Sequence, residues 1–184
     1  MRIMTDNNYT IETLITEEEM GKTIRELAQK IATDLSGKEV MLIGVLDGAF
    51  VFVSGLSREL LKLGMEGMTI DFIGIDTYGS GTESTGEPKI TKDLKRDVQG
   101  KVVLIVDDIL DTGFSLSILQ AMIKARQPKE LYTAVMLSKK ARRKVNVPVE
   151  YIGIEIPDKF VVGYGLDYDG RHRELSYVGA VVFG

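Results

Sequence analysis

Apolar positions along the chain alternate between two patterns. From Thr16 the segment TEEEMGKTIRELAQKIATDLSG spaces Met20, Ile24, Leu27, Ile31 and Leu35 at intervals of four, three, four and four, the stripe of an amphipathic helix. Thr16 and Glu19 form a capping-box pattern at its start, and Gly37 closes it. VMLIGVL (40–46) is instead a continuous apolar run with β-branched residues, the mark of a strand buried on both faces. A helix is expected over Phe50–Leu63, ahead of Gly64, and a strand over Met68–Tyr78. The stretch that follows, GSGTESTGEPK, offers little that can pack and reads as a loop or mobile flap. VVLIVD (102–107) and LYTAVML (131–137) repeat the buried-strand pattern. Between them a helix over Ser115–Arg126 sets Leu116, Leu119, Met122 and Ile123 on one face and stops before Pro128. From Val149 onward the tail reads as strand and loop, with VEYIGIEI, FVVGY and SYVGAVVF as strands. Apolar strands alternating with helices predict an α/β fold: a twisted, mostly parallel sheet flanked by helices.

Composition narrows the chemistry. The 184 residues suit one domain, and 44% hydrophobic with 27% charged residues can form a core without staples. No cysteine is present, which removes disulfides, thiolate nucleophiles and zinc-thiolate sites. The opening MRIMTDNNYT lacks a signal-peptide apolar block, and no stretch approaches the ~20 apolar residues of a membrane span, so a soluble, cytoplasmic protein without a membrane partner is expected. A net charge of −4 gives no global field favouring nucleic acid. An anionic ligand must therefore be held by a local device.

That device lies in VVLIVDDILDTGFSL (102–116). A buried strand is expected to end in Asp107 and Asp108, after which a tight turn delivers the chain into a helix. Ligands bind at the carboxyl ends of strands in open parallel sheets. Free backbone N–H groups of Thr112, Gly113, Phe114 and Ser115, with the hydroxyls of Thr112 and Ser115, suit a phosphate monoester. Two adjacent carboxylates would repel that phosphate unless they accept hydrogen bonds from vicinal sugar hydroxyls or sit near a Mg2+ carried by the substrate. The constellation describes a ribose 5-phosphate, with Asp111 available for proton transfer.

The same segment resembles the phosphoribosyl-diphosphate (PRPP) signature of the type I phosphoribosyltransferases. VNVPVEYIGIEIPDKFVVGYGLDYDGRHREL (145–175) resembles the purine-binding tail of the hypoxanthine-guanine phosphoribosyltransferases, and GVLDGAFVF and DTYGSG extend the likeness over most of the chain. The resemblance implies one domain over 1–184 in the type I fold, with a small hood formed by the terminal segments and residues 145–184 contributing its purine-binding part. It implies Mg2+-dependent transfer from PRPP to hypoxanthine or guanine, and a homodimer or homotetramer.

Residue by residue, the resemblance puts Asp107 and Asp108 at the ribose hydroxyls and Asp111 to Ser115 at the 5-phosphate. Asp111 would also meet purine N7, and Lys139 the 6-oxo group. Phe160 would stack on the base, with Val161 and Asp167 near its 2-position. Asp167, with Asp107 and Asp108, would bind Mg2+. Asp47, Gly48 and Arg173 would contact the diphosphate, and Thr77 and Tyr78 would begin a closing loop. In LDG, Asp47 stands where relatives usually carry Lys or Arg, leaving the backbone of Asp47, Gly48 and Ala49 as the expected ligand. The other cations of KKARRK, Lys140, Arg142, Arg143 and Lys144, are expected to be solvated, and His172 to lie at the surface. Two other classes share these features: a PRPP-sensing regulator without turnover, and a phosphoreceiver module with paired acids at a strand end.

Overall fold

The computed structural model describes residues 2–4, 9–76 and 89–184. Its elements run β1 (Arg2–Met4), β2 (Tyr9–Ile15), α1 (Glu17–Asp34), β3 (Val40–Leu46), α2 (Phe50–Lys62), β4 (Thr69–Asp76), β5 (Lys89–Lys92), β6 (Val102–Leu110), α3 (Phe114–Ala125), β7 (Glu130–Ser138), β8 (Tyr151–Glu155), β9 (Val161–Val162) and β10 (Val178–Phe183), with one 3-10 turn over Lys140–Arg142.

The main sheet has the order β5-β4-β3-β6-β7-β8, parallel except for the antiparallel edge strand β5. Both faces are covered, which explains the unbroken apolar runs. Val40, Leu42, Leu104, Val106 and Ala134 pack with α1 and α2, while Met41, Ile43, Val103, Ile105 and Val135 pack with α3. Successive strand residues point to opposite faces, so a polar residue at either parity would cost one of two cores. Leu42 and Ile43 are each fully buried, and each such side chain contributes roughly 1.5–3 kcal/mol. At the start of α1, the Thr16 hydroxyl and the Glu19 carboxylate exchange backbone hydrogen bonds as the capping box predicts.

From β3 the chain moves one way to β4 and later returns to the other side of β3 as β6. The sheet therefore reverses between β3 and β6, the crevice where doubly wound folds bind ligands. Above it lies the hood, a separate antiparallel sheet of order β1-β2-β10-β9.

Three differences from expectation stand out. Strand β6 does not end at Asp107: Asp107, Ile109 and Leu110 pair with Val135, Leu137 and Ser138 of β7, so the ladder carries both acids inside the strand. Lys89 does not belong to a loop but opens β5, paired antiparallel to β4. Strands β1 and β2 lie in a segment where no element was expected. Thr77, Tyr78 and most of the expected flap lie outside the described residues. Among the described residues, no helix is long and apolar enough to cross a membrane.

Candidate active site

The site is assembled at the β3/β6 crevice. After β6, Asp111 and Thr112 lead to Gly113, the residue before α3, at φ 91. A side chain there would meet the carbonyl of Val145 at 2.8 Å, so glycine is required both by conformation and by space. Thr112 is fixed from behind, its carbonyl accepting from the N–H groups of Lys144 (3.0 Å) and Val145 (3.1 Å). Helix α3 begins with no side-chain cap and no acid in its first turn. Its first N–H groups, around Phe114 and Ser115, thus stay open for an anion, and the exposed Phe114 ring does not obstruct the main chain.

Asp107 and Asp108 are half-buried neighbours, each accepting a hydrogen bond from the next backbone N–H at 3.0 and 2.7 Å. Burial, and then the adjacent Asp108 carboxylate, push Asp107 well above the ordinary carboxylate range. Burial also raises Asp108, opposed by its hydrogen bonds and by Arg173. Such a pair is poised to be relieved by a cation or by hydroxyl donors. Among the described residues no three His, Cys, Asp or Glu side chains gather into a metal cluster. Two hard oxygen donors nevertheless fit Mg2+, which characteristically takes one or two carboxylates and completes its shell with substrate phosphates and water.

On the β3 side, Asp108 lies against the main chain of Gly48, filling the place of a β-carbon there. Gly48 and Ala49 lead into α2, whose start also lacks a side-chain cap. Asp47, mostly exposed, extends toward Arg173, with Oδ2 and Nη2 3.8 Å apart. Arg173 also binds Asp167 (2.9 Å) and donates to the carbonyl of Gly165 (2.7 Å). The second oxygen of Asp167 accepts from Gly170 N–H at 2.7 Å, so both its oxygens already have partners within the chain.

On the other flank, β7 ends at Ser138 and presents Lys139, only 6% exposed, its N–H donating to the carbonyl of Leu110 at 2.9 Å. Its Nζ lies 3.4 Å from Asp111 Oδ2. The solvated cations expected beside it are in part engaged: Arg142 Nε donates to Asp111 Oδ1 at 2.7 Å, and Arg143 reaches the Asp111 carbonyl (3.3 Å) and Ser138 Oγ (3.1 Å). No local signal marks the pairings with Asp111, because the partners lie about thirty residues apart.

Phe160 is 47% exposed and meets Tyr168 edge-on, ring centroids 5.4 Å apart, while its carbonyl accepts from Val181 N–H at 2.8 Å. Val161 is buried and paired with Ala180 of β10. His172, expected at the surface, is half-buried and hydrogen-bonds Tyr9 at 2.8 Å. The structure thus brings together Asp111 with Lys139, and Asp47, Gly48, Asp108, Asp167 and Arg173.

Residues 11–169 match the model of the phosphoribosyl transferase domain, and the chain belongs to that family. Within it the sequence groups with the hypoxanthine phosphoribosyltransferases, enzymes that transfer a pentosyl group. It is 45% identical over 176 residues to the hypoxanthine phosphoribosyltransferase of Escherichia coli K12, covering 95% of this chain and 97% of that protein. The Salmonella typhimurium enzyme of the same name is 46% identical over the same shares. Among solved structures, a hypoxanthine-guanine phosphoribosyltransferase from Bacillus anthracis superposes with a TM-score of 0.86 at 38% identity, covering 95% of this chain and all of that one. A Staphylococcus aureus hypoxanthine phosphoribosyltransferase gives 0.87 at 38% identity over 93% and 91%.

Proposed function

We propose that the protein transfers the 5-phosphoribosyl group of PRPP to N9 of hypoxanthine, releasing diphosphate and forming IMP in purine salvage, with guanine as a second acceptor giving GMP. The observation that carries this reading is the pair of Asp111 Oδ2 and Lys139 Nζ, 3.4 Å apart at the end of β6 and β7. An acceptor beside a donor complements the N7–H and 6-oxo edge of a 6-oxopurine, whereas the 6-amino group of adenine would face a donor with a donor. Asp111 and Lys139 are then the base-edge contacts, with Phe160 stacking on the base and Val161 and Asp167 near its 2-position.

In this reading the open N–H groups from Thr112 to Ser115, with Asp111, hold the 5-phosphate, and Asp107 and Asp108 the sugar hydroxyls. Asp47, Gly48 and Arg173 face the diphosphate. As N9 attacks C1, the bond from C1 to diphosphate oxygen breaks with its electron pair leaving on the diphosphate, and Asp111 takes the N7 proton. Asp107 and Asp108, with Asp167, would hold Mg2+, which supplies charge neutralisation at the leaving group. Residues 1–184 act as one domain, with 145–184 supplying the base side. The resemblance further supports a homodimer or homotetramer, and a chain without cysteine suits a reducing, cytoplasmic setting.

The test is turnover with PRPP, MgCl2 and each purine base, following nucleotide and diphosphate together. IMP and diphosphate in equal amounts from hypoxanthine, and none from adenine, are expected. PRPP binding with no turnover of any 6-oxopurine would reject the reading in favour of a PRPP sensor.

A further inference from the structure

Arg142, expected as a solvated cation and still 47% exposed, is nonetheless engaged by the site. It ends the 3-10 turn that follows Lys139, a turn fixed to the end of β6 by the bond from Lys139 N–H to Leu110. From there its guanidinium reaches two carboxylates: Nε lies 2.7 Å from Asp111 Oδ1, and Nη1 lies 3.5 Å from Asp158 Oδ1. Lys139 stands 3.4 Å from the other oxygen of Asp111. The distances rank these contacts. At 2.7 Å the Arg142 bond has the length of a charge-assisted hydrogen bond, while 3.4 Å is beyond it. Arg142 therefore holds Asp111, and Lys139 merely neighbours it.

Fixing one oxygen of a carboxylate fixes its plane. With Oδ1 taken by Arg142, the oxygen left to a ligand is Oδ2, on the Lys139 side. Asp158 lies two residues before Phe160, so the same guanidinium also joins the catalytic turn to the stretch that carries the exposed ring. A lysine could not do both, since a compact ammonium on a flexible stem lacks separate N–H groups held in one plane. The pair is part-exposed, and exposed ion pairs contribute little to stability. Its effect should therefore be read in turnover.

We propose that Arg142 is a positioning residue for proton transfer: it sets the plane of the Asp111 carboxylate so that Oδ2 faces the purine beside Lys139, and through Asp158 it ties that alignment to the base-stacking segment. This inference rests on the phosphoribosyl-transfer reading above.

The experiment compares the full chain with its Arg142→Met, Arg142→Lys and Arg142→Ala variants in steady-state assays with hypoxanthine, PRPP and MgCl2, alongside PRPP titration and thermal melting. Arg142→Met is expected to lower kcat by about 10- to 100-fold, the scale of a misoriented catalytic group, and to raise the KM for hypoxanthine. PRPP affinity should stay within about threefold and the melting midpoint within about 2 °C, as expected of a part-exposed ion pair. Arg142→Lys should recover only part of the loss, and added methylguanidinium should raise turnover of Arg142→Ala saturably. Turnover of Arg142→Met within twofold of the unaltered protein, a loss of PRPP affinity that accounts for the fall in turnover, or no response to methylguanidinium would each overturn the inference while leaving the reaction standing. Absence of any nucleotide from the unaltered protein would instead reject the reaction, and the inference with it.

Discussion

Gly48 and Gly165 meet main chain to main chain: the carbonyl oxygen of Gly48 occupies the place a β-carbon at Gly165 would need, and Gly165 is held at φ 100. On its other side Gly48 carries the Asp108 carboxylate. One residue of the expected diphosphate loop is thus wedged between an acid of the core sheet and the backbone beneath the hood.

Gly165→Ala should suffer twice, from a conformation side chains rarely adopt and from collision with Gly48. We expect a stability loss of about 2 kcal/mol, a melting midpoint lower by roughly 4–8 °C, and a KM for PRPP raised at least about tenfold through displacement of Gly48. Calorimetry and steady-state kinetics check both; an unchanged KM would show that this contact does not hold the loop.

Asp107→Asn should trade activity for stability. Burial and the charge of Asp108 raise the native pKa of Asp107, so the folded protein binds this proton more tightly than the unfolded chain. Stability is therefore lost as the pH climbs from the unfolded value, about 3.9, toward the raised native one. Removing the charge should raise the melting midpoint at pH 8 by about 2–4 °C, roughly 1 kcal/mol, with the gain shrinking toward pH 4. Turnover should fall at least about tenfold if the pair holds the sugar and Mg2+. A midpoint at pH 8 below that of the unaltered protein would contradict the assignment.

Asp71 has the opposite sign. Burial alone would push it up, but hydrogen bonds from the backbone N–H groups of Phe72 (2.8 Å), Lys95 (2.8 Å) and Arg96 (3.1 Å), aided by Lys92, bring it below its ordinary value. It stabilises the fold above the unfolded pKa and loses that contribution as the pH falls through the native one. Asp71→Asn should cost about 1.5–3 kcal/mol at pH 7 and distinctly less at pH 3, measured by urea unfolding. An equal cost at both pH values would rule out the charge as its source.

Asp111→Asn keeps the shape and one acceptor but cannot take a proton. We expect turnover to fall by about 10² to 10⁴ while PRPP binding survives within a few fold. Single-turnover kinetics with PRPP titration separates these; lost PRPP affinity with intact chemistry would make Asp111 a residue of the phosphate turn only.

Asp47→Ala removes an exposed carboxylate that draws on the Arg173 guanidinium and would repel diphosphate. The KM for PRPP should drop by about two- to fivefold, corresponding to the ~1 kcal/mol upper range of exposed pairs, and more at low salt. The KM for hypoxanthine should not move. A higher KM for PRPP would make the Asp47 side chain a ligand rather than a restraint.

Legibility of the sequence followed burial. The run at 40–46 appears as β3 with the same bounds, because continuous apolar character is forced wherever both faces of a strand are covered. The capping box placed the start of α1 within one residue. Strand β5, KITK, was hidden because a short charged edge strand looks like a loop. Strand β2 takes its place from β10, far along the chain, and β1 takes its place from β2. Strand β6 ran past its acids because pairing with β7, not its own composition, decides where it ends. Within the site, the turn and its acids were visible as a motif, whereas the grip of Arg142 on Asp111 and of Asp108 on Gly48 exists only in three dimensions.

Tyr9 pairs with Phe183 across β2 and β10, whereas the parallel ladder needs nothing beyond Glu155. During synthesis the proposed cradle for sugar and phosphate can therefore close while the roof above it still awaits residues in the ribosomal tunnel. Asp111 and Lys139 would then already stand side by side while Val161 and Val162 still lack the β10 partner that holds them, so a nascent polypeptide halted before Val178 would present one edge of the proposed base site without the other.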